Sequence, residues 1–350
     1  MSTTLLVLSV LILLGIVIFQ ISKANEYIAS LKGADQANDE SDSINGKLYL
    51  VFLFLFFGGI VWSLYDSWDK MILTASSMHG KWIDSSFNIT TLFTAIIFVA
   101  CHVMLFYFAY KYRGKKGKVA YYYPENNKLE MWWTIIPAIV LTVLIVFGLY
   151  NWFRITGPAP ADAKIVEITG KQFNWMVRYP GTDGLLGKKE FKLIDETNVL
   201  GVNFSDPNSR DDFMTNEIHF EVGKPVVLKI GSRDVIHNVG MPHFRVKMDA
   251  VPGIPTTFWL VPTETTDEMR AKTGNPDFVY ELACDYLCGK GHSAMRLVIF
   301  VDTPEQYQAW VKKQQSFYDT QIKGSDLEKK FALNLNATPV SNTNLSSLNP

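Results

Sequence analysis

The chain has 350 residues and a formal net charge of −1, and its length leaves room for two domains. Nothing in this charge indicates nucleic acid or an acidic substrate as a partner. Hydrophobic residues make up 48% of the sequence and charged residues only 19%, which favours a membrane-embedded part, and three cysteines are too few for a disulfide scaffold.

Four apolar stretches in the first half of the chain have the length of membrane-spanning helices. Each is close to the ~20 residues that a helix needs to cross the hydrocarbon core, and none contains a run of charges. The first stretch lacks the basic leader and the small-residue cleavage site of a signal peptide, so we expect it to be retained. Residues 1–156 are therefore predicted to form a four-helix membrane anchor, with spans at 5–21, 48–64, 91–109 and 132–153.

The loop between the third and fourth predicted helices sets the orientation of the anchor. It carries five basic residues with little acid to balance them: Lys111, Arg113, Lys115, Lys116 and Lys118. A dense basic cluster beside a helix end stays in the cytoplasm. With four spans, everything after Phe153 then faces the periplasm of a bacterial cell. The protein is predicted to pass several times through the inner membrane, in contact with lipid.

Residues 157–313 are predicted to form a second, all-β domain. After Gly157, Pro158 and Pro160 the sequence breaks into short β-type runs with no helical period between them, which is typical of a sandwich or barrel. Residues 182–215 form a polar insertion. Residues 314–350 are predicted to begin as a helical segment and to end as a disordered tail. The predicted strands are 165–169, 173–179, 217–222, 226–230, 256–262, 278–282 and 295–301.

One segment near the C-terminus concentrates the side chains that bind metals. Cys284, Cys288, His292 and Met295 place two thiols, an imidazole and a thioether within twelve positions. Thiolates and thioethers are soft ligands that favour copper, whereas structural zinc favours four Cys or His ligands. A mononuclear blue-copper site uses a single cysteine, so a second one is left over here. Two thiolates can instead bridge two copper ions, in which case each copper still needs one imidazole.

The second imidazole must come from elsewhere in the chain. His237 is the first candidate, because it follows a predicted strand and cupredoxin-like barrels take their first ligand from an earlier strand end; His243 is its rival. The other histidines, His79, His102 and His219, are interpreted as ordinary polar or packing residues. The alternative to a metal site is a disulfide between the two cysteines in an oxidising periplasm, with the methionine in the core.

Five stretches of the sequence together resemble subunit II of the haem–copper cytochrome c oxidases. The most specific is 284–295, followed by 232–237 and its continuation at 247–253. Residues 129–137, at the start of the last membrane helix, and the aromatic stretch 170–179 match the family pattern as well. The resemblance spans about residues 90–305. The family usually has two membrane helices, so this chain resembles a bacterial type with two extra N-terminal helices.

The resemblance implies a cupredoxin-like barrel that carries a dinuclear copper A centre. The implied ligands are, for one copper, His237 and Met295; for the other, His292 and the backbone carbonyl of Tyr286; and for both, the bridging Cys284 and Cys288. The centre would accept electrons from a c-type cytochrome and pass them to haem in subunit I, where dioxygen is reduced and protons are pumped. The chain has no Cys-x-x-Cys-His haem motif, so it would transfer electrons for subunit I and the other oxidase subunits rather than catalyse alone.

Some positions of the chain depart from the family pattern. Tyr286 stands where the family usually has a glutamate that helps to bind magnesium at the subunit I interface, so the magnesium site is not carried over. Phe173 stands where the family has the tryptophan that receives electrons, and Trp175 matches the tryptophan that follows. A donor fixed in a respiratory supercomplex is one interpretation; a neutral change with Trp175 taking over is the other. Glu130 matches an acid at the mouth of a proton path, with a solvated interfacial glutamate as the alternative.

Three other protein classes share part of this pattern. A copper chaperone or thiol–disulfide assembly factor would need a thioredoxin-like alternation of strands and helices, which the β-rich half does not have. A structural subunit of a quinol oxidase would share the fold but lack the copper ligands. A copper domain of the nitrous oxide reductase type would be fused to a propeller, for which this sequence has no counterpart.

Overall fold

The computed structural model describes residues 3–326 and 328, which fall into two compact units. The first unit is drawn from residues 1–72 and 89–141, and the second from residues 73–88 and the chain from 142 onward. Four long helices come first: α1 Thr3–Lys32, α2 Ala34–Met71, α3 Met78–Lys111 and α4 Asn127–Thr156. All four are long and apolar enough to cross a membrane, which confirms the predicted four-helix anchor.

Within their membrane-spanning stretches the four helices are apolar around their whole circumference. Large side chains such as Leu13, Phe54 and Ile139 remain well exposed. A helix that is hydrophobic on every side is stable only inside a large core or in lipid, and lipid is the solvent that suits these helices. The helices have 30 to 38 residues and therefore extend beyond the ~20 that cross the hydrocarbon core.

Beyond α4 the described residues form ten strands in two sheets. The strands are β1 Lys164–Lys171, β2 Asn174–Tyr179, β3 Phe213–Thr215, β4 Ile218–Glu221, β5 Val226–Ser232, β6 His237–Met241, β7 Val246–Ala250, β8 Thr256–Leu260, β9 Tyr280–Cys284 and β10 Arg296–Asp302. The sheet orders are β3-β2-β1-β5-β8 and β4-β10-β9-β6-β7. Strand β1 runs parallel to β5, and β4 runs parallel to β10. This two-sheet domain confirms the predicted all-β, cupredoxin-like fold class.

Apolar side chains from both sheets fill the space between them. Strand β10 shows the cause, because its burial alternates along the strand and directs Leu297, Ile299 and Val301 inward. These side chains join Ile168 and Val177 of the other sheet in one hydrophobic cluster. Each such burial stabilises the fold by about 1.5–3 kcal/mol.

Several elements do not follow from the sequence pattern: β3, β6, β7 and two short helices, α5 Thr266–Thr273 and α6 Pro304–Val311. Strand β6 has the sequence His-Asn-Val-Gly-Met, without a β-type run, yet all five residues are buried inside the second sheet. The starts of both helices are nevertheless recognisable in the sequence, because each begins with a capping box: Thr265 with Glu268, and Thr303 with Gln306.

A buried ion-pair network holds the 182–215 insertion to the first sheet. Arg178 of β2 is almost completely buried; its Nε donates to Glu167 (2.7 Å) and its Nη1 to Asp212 (2.9 Å) and to the carbonyl of Gly187 (3.0 Å). A guanidinium is costly to bury unless it is paired and hydrogen-bonded, and these three acceptors meet that requirement. The insertion is therefore an integral part of the domain.

The insertion also builds a second hydrophobic cluster with the C-terminal segment. Its buried members are Met176, Leu200, Val202, Phe204, Phe317, Tyr318 and Ile322. The helical start predicted for residues 314–350 corresponds to a single π-helical turn at Tyr318–Ile322. The predicted disordered tail falls on residues outside the described part of the chain.

The segment that precedes α3 packs into the β-domain. The amide of Ser76 donates to the carbonyl of His243 (2.7 Å), and the amide of Met78 donates to the carbonyl of Val261 (2.9 Å). The amide of Thr263 donates in turn to the carbonyl of Ser76 (2.9 Å), so the segment is hydrogen-bonded in both directions. Residues 73–88 consequently belong to the same compact unit as the β-domain, which the sequence did not indicate.

Arg245 holds this segment with its side chain. Its Nε and Nη2 donate to the two carboxylate oxygens of Asp84 (2.8 and 3.0 Å), Nη2 also to the carbonyl of Leu73 (2.5 Å) and Nη1 to the carbonyl of Pro242 (2.6 Å). Its φ of 56° lies in the left-handed region, which residues other than glycine rarely adopt. A two-point Arg–carboxylate pair fixes direction as well as distance.

Replacing Arg245 with methionine should loosen the 73–88 segment. The change removes a bidentate ion pair and two bonds to carbonyls, which we expect to lower the free energy of local opening by about 2–4 kcal/mol. Hydrogen exchange at the amides of Ser76 and Met78 should accelerate accordingly. Lys323→Met is the control, because the Lys323–Asp319 pair is exposed and contributes less than ~1 kcal/mol. Unchanged exchange at Ser76 in the Arg245 variant would contradict this role.

Candidate metal centre

The segment from the end of β9 to the start of β10, Cys284 to Met295, carries five of the six predicted ligands. Cys284 is the last residue of β9, a short 3-10 helix spans His292–Ala294, and Met295 directly precedes β10. The antiparallel register of the two strands pairs Ala283 with Arg296. The amide of Cys284 donates to the carbonyl of Met295 (3.1 Å), which closes the loop at its base. The sequence segment is therefore folded back on itself, with its ends together.

This closure brings the soft ligand atoms together. The sulfur of Cys284 lies 3.9 Å from that of Cys288 and 3.3 Å from the carbonyl oxygen of Tyr286. The Cys288 sulfur lies 3.8 Å from Nδ1 of His292 and 3.9 Å from the sulfur of Met295. A disulfide requires a sulfur–sulfur distance near 2.05 Å, so the two cysteines are free thiols in this structure.

His237 reaches the same cluster from β6. Strand β6 pairs with β9 so that Val239 lies opposite Cys284. The His237 ring is fully buried, and its Nδ1 is 3.8 Å from the Cys284 sulfur. The ligand atoms of His237, Cys284 and Cys288 all lie within 4.8 Å of one another. Two strands thus bring together residues that are 47 positions apart in the sequence.

The rival histidine occupies a different environment. His243 lies in a 3-10 turn, Pro242–Phe244, beyond the far end of β6. Its Nδ1 is 2.9 Å from the carbonyl of Thr74, and its ring packs edge-on against Phe278 and Tyr280. Burial lowers the pKa of His243 and keeps the ring neutral. The structure brings His237, not His243, to the cysteines.

A carboxylate fixes the orientation of His237. Its Nε2 donates to Asp234 (2.9 Å), so Nδ1 is free to face the sulfurs. Asp234 also accepts from the amides of Gln172 (2.8 Å) and Val235 (2.7 Å). Burial alone would raise the pKa of Asp234, but these amides and the imidazole hold it below its usual value. Asp234 is a site residue that was not predicted from the sequence, although the Asp-x-x-His spacing is a usable signal.

The first sheet covers the His237 side of the cluster. The indole of Trp175, 3% exposed, meets the His237 ring edge-on with 5.9 Å between centroids, and its Nε1 lies 3.4 Å from the carbonyl of Met295. Gly170 packs closely against the His237 ring: a Cβ at this position would lie 2.7 Å from Cδ2 of the imidazole. The absence of a side chain at Gly170 is therefore what admits the ring.

Phe173 covers the outer side of the loop. A Cβ on Gly289 or Gly291 would lie within 2.9 Å of the Phe173 ring, so the ring rests directly on the backbone of both glycines. Next to it, Nε2 of Gln172 donates to the carbonyl of Cys288 (2.7 Å). The ring is 40% exposed, in contrast to the buried Trp175. Of the two aromatic residues considered for electron uptake, Phe173 lies at the surface.

Asp285 and Tyr286 follow Cys284 with their side chains outward. The Tyr286 ring is 40% exposed and has Nζ of Lys247 5.9 Å from its centroid, while its carbonyl faces the Cys284 sulfur. The Asp285 carboxylate lies against the backbone of Gly240. Tyr286 thus offers only its backbone to the cluster. Glu130 lies exposed in the first turn of α4, in the other compact unit.

The donor set suits copper. Two thiols, two imidazoles, a thioether and a carbonyl oxygen are the soft and intermediate ligands that this metal prefers. Burial and the neighbouring Cys284 sulfur raise the pKa of the Cys288 thiol, so both sulfurs can be thiolates together only beside a compensating cation. The residues present therefore fit a dinuclear copper centre.

Comparisons with known proteins place the two parts of the chain in one family. Residues 66–150 match the family described as cytochrome C oxidase subunit II, transmembrane domain, and residues 164–301 match its periplasmic domain. The alternative cytochrome c oxidase subunit 2 of Bradyrhizobium diazoefficiens is 33% identical over 270 residues, covering 77% of this chain and 92% of that protein. Cytochrome c oxidase subunit 2 of Cereibacter sphaeroides is 29% identical over 252 residues, covering 68% and 76%.

Among solved structures, a similar one is the periplasmic domain of subunit II of cytochrome oxidase from Bradyrhizobium japonicum. It is 25% identical and covers 49% of this chain and 98% of that chain, with a TM-score of 0.31.

Gly170→Ala should disturb the cluster through His237 alone. The added methyl group would need the space that the imidazole occupies, so we expect copper affinity to fall ~10–100-fold, as when a metal ligand loses its support. Gly231→Ala is the control: Gly231 pairs with Thr169 on the adjacent strand, and a Cβ there meets nothing within 4 Å. Copper per chain and thermal unfolding should be measured for both variants. Equal copper content in the two would count against His237 as a ligand.

Proposed function

Because the chain belongs to the subunit II family of cytochrome c oxidases, we propose that its β-domain holds a dinuclear copper A centre and transfers electrons into the oxidase. As a subunit of an oxidoreductase complex it combines a membrane anchor with a periplasmic C-terminal domain. The observation that carries the proposal is the convergence of six predicted ligands through contacts of 3.3–3.9 Å between their donor atoms.

The proposed ligand assignment is the one that the resemblance to the family implies. Cys284 and Cys288 would bridge the two metals. His237 and Met295 would serve one copper, and His292 and the carbonyl of Tyr286 the other; these four complete the set. When bound, a copper A centre takes up and releases one electron at a time.

The protein's contribution is to hold these ligands still. Asp234 fixes the His237 ring, the base of the loop is closed by the Cys284–Met295 backbone bond, and Gln172 holds the carbonyl of Cys288. Trp175 and the core beneath keep water from the inner side. Ligands that cannot move make little structural change when an electron arrives, which keeps the barrier to transfer low.

We propose that electrons arrive from a c-type cytochrome and leave to haem in subunit I, where dioxygen is reduced and protons are pumped. The basic loop after α3, from Lys111 to Lys118, supports a cytoplasmic position for that loop and hence a bacterial inner membrane location. Subunit I, the other oxidase subunits and lipid would then surround the four helices.

Cys288→Ser tests the proposal directly. An alcohol is a harder and far less acidic ligand than a thiol, so the variant should lose the seven-line hyperfine pattern that two equivalent coppers give in electron paramagnetic resonance. Tyr286→Ala is the control on the same loop, because only its carbonyl faces the cluster; it should keep two coppers per chain. A wild-type spectrum in Cys288→Ser would refute a bridging role for its thiolate, and a loss of one copper in Tyr286→Ala would refute the carbonyl ligand.

We further propose that the cytochrome donor is fixed in a respiratory supercomplex. Phe173 presents a smaller surface than an indole and no hydrogen-bond donor, which is less suited to capture of a freely diffusing partner. A tethered donor would compensate for this weaker docking surface, since an effective concentration of about a millimolar makes modest affinity sufficient. Oxidation of a free soluble cytochrome should therefore be much slower once any co-purifying haem protein is gently removed. Equal rates before and after removal would count against a fixed donor.

A further inference from the structure

The aromatic ring of Phe173 contacts the cysteine loop from its outer side. Its ring rests on Gly289 and Gly291, and the Cys288 carbonyl is bonded to the adjacent Gln172. At 40% exposure it is open to solvent on its other side. A partner that gives an electron to the cluster by the shortest path through this face would dock on Phe173.

The backbone brings three basic residues to the neighbourhood of Phe173. Lys171 is two residues before Phe173, and Lys290 stands between the two glycines that the ring covers. Arg233 is brought alongside by its amide, which donates to the carbonyl of Gly170 (2.9 Å). Within the described chain none of the three forms a salt bridge, and Lys290 is exposed.

One carboxylate belongs to the same surface, and its charge is engaged. Asp234 accepts from His237 and from two backbone amides, those of Gln172 and Val235. The acidic residue of the cysteine loop, Asp285, has its carboxylate against the backbone of Gly240. We call the surface formed by Phe173, Lys171, Arg233, Asp234 and Lys290 the uptake face. It carries three unpaired cations against one bonded carboxylate.

We propose that the uptake face selects an acidic donor: a haem protein whose exposed haem edge is bordered by carboxylates. The inference rests on the proposed electron-transfer function and adds the chemistry of the partner. Opposite charges around a small apolar contact raise the rate of productive encounter and fix the orientation of the two redox groups. A basic donor would meet like charge at every cation of this face.

The test uses the intact oxidase and one cytochrome in two charge states. A lysine-rich cytochrome c is compared with the same protein after succinylation, which replaces each ammonium with a carboxylate. In each encounter one electron leaves the ferrous haem, which becomes ferric, and the oxidised copper centre gains it. At low ionic strength the succinylated form should reduce the centre ~10-fold faster than the native form in stopped-flow measurements, and added salt should slow it. Faster reduction by the native form, or no response to salt by either, would overturn the proposal.

Charge reversal localises the effect. The triple variant Lys171→Glu, Arg233→Glu, Lys290→Glu should invert the preference for the two cytochromes. The matched control is Lys224→Glu, Lys312→Glu, Lys313→Glu, which makes the same change in charge just before β5 and just after α6. It should keep the wild-type preference. An inverted preference in the control, or none in the triple variant, would overturn the assignment of the uptake face.

Two readouts separate this proposal from the function on which it rests. The copper A resonance and reduction by tetramethyl-p-phenylenediamine, a small reductant with no protein surface, should be the same in the wild type and both triple variants. If both signals are intact but the native cytochrome reduces the centre faster than the succinylated form, the proposal of an acidic donor is overturned and the proposed electron-transfer function is not. If the wild type lacks the copper A resonance, the proposed function and the acidic donor fall together.

Discussion

The antiparallel pairing of β6 with β9 is the contact on which the candidate site depends. It sets Val239 opposite Cys284 and so brings the His237 ring to the sulfurs of the loop. Side chains alternate between the faces of a strand, so a shift of one residue would turn His237 away from the cluster. The register is secured because β6 lies between β7 and β9 and is buried along its whole length.

Around this contact, neighbouring residues support the candidate ligands. Gly170 makes room for the imidazole, Asp234 orients it, and Trp175 closes the inner side. On the outer side the Phe173 ring rests on the loop, and the Gln172 side chain donates a hydrogen bond to it. Gly170, Gln172, Phe173 and Trp175 all belong to the β1–β2 hairpin, so one hairpin contacts both the imidazole and the cysteine loop.

A second constraint joins the β-domain to the ends of the third and fourth helices. Residues 73–88 and the chain from 142 belong to its compact unit, and Arg245 bonds to Asp84 and Leu73 within that unit. A positive φ at a residue other than glycine costs about 1–2 kcal/mol. The four hydrogen bonds of the guanidinium offset that cost.

The sequence by itself determined the membrane anchor and the class of metal site. A membrane-spanning helix can be recognised locally, because it requires only a sufficiently long apolar stretch. The ligand types within a twelve-residue loop likewise restrict which metal can bind, wherever the fold places that loop. Only the tertiary structure decided between His237 and His243, revealed Asp234 and Gly170 as neighbours of the imidazole, and showed the 182–215 insertion and the 73–88 segment as parts of the domain. Each of these depends on strand register or on buried polar contacts between residues far apart in the chain, and no local pattern encodes which distant partner a strand or a buried charge will meet.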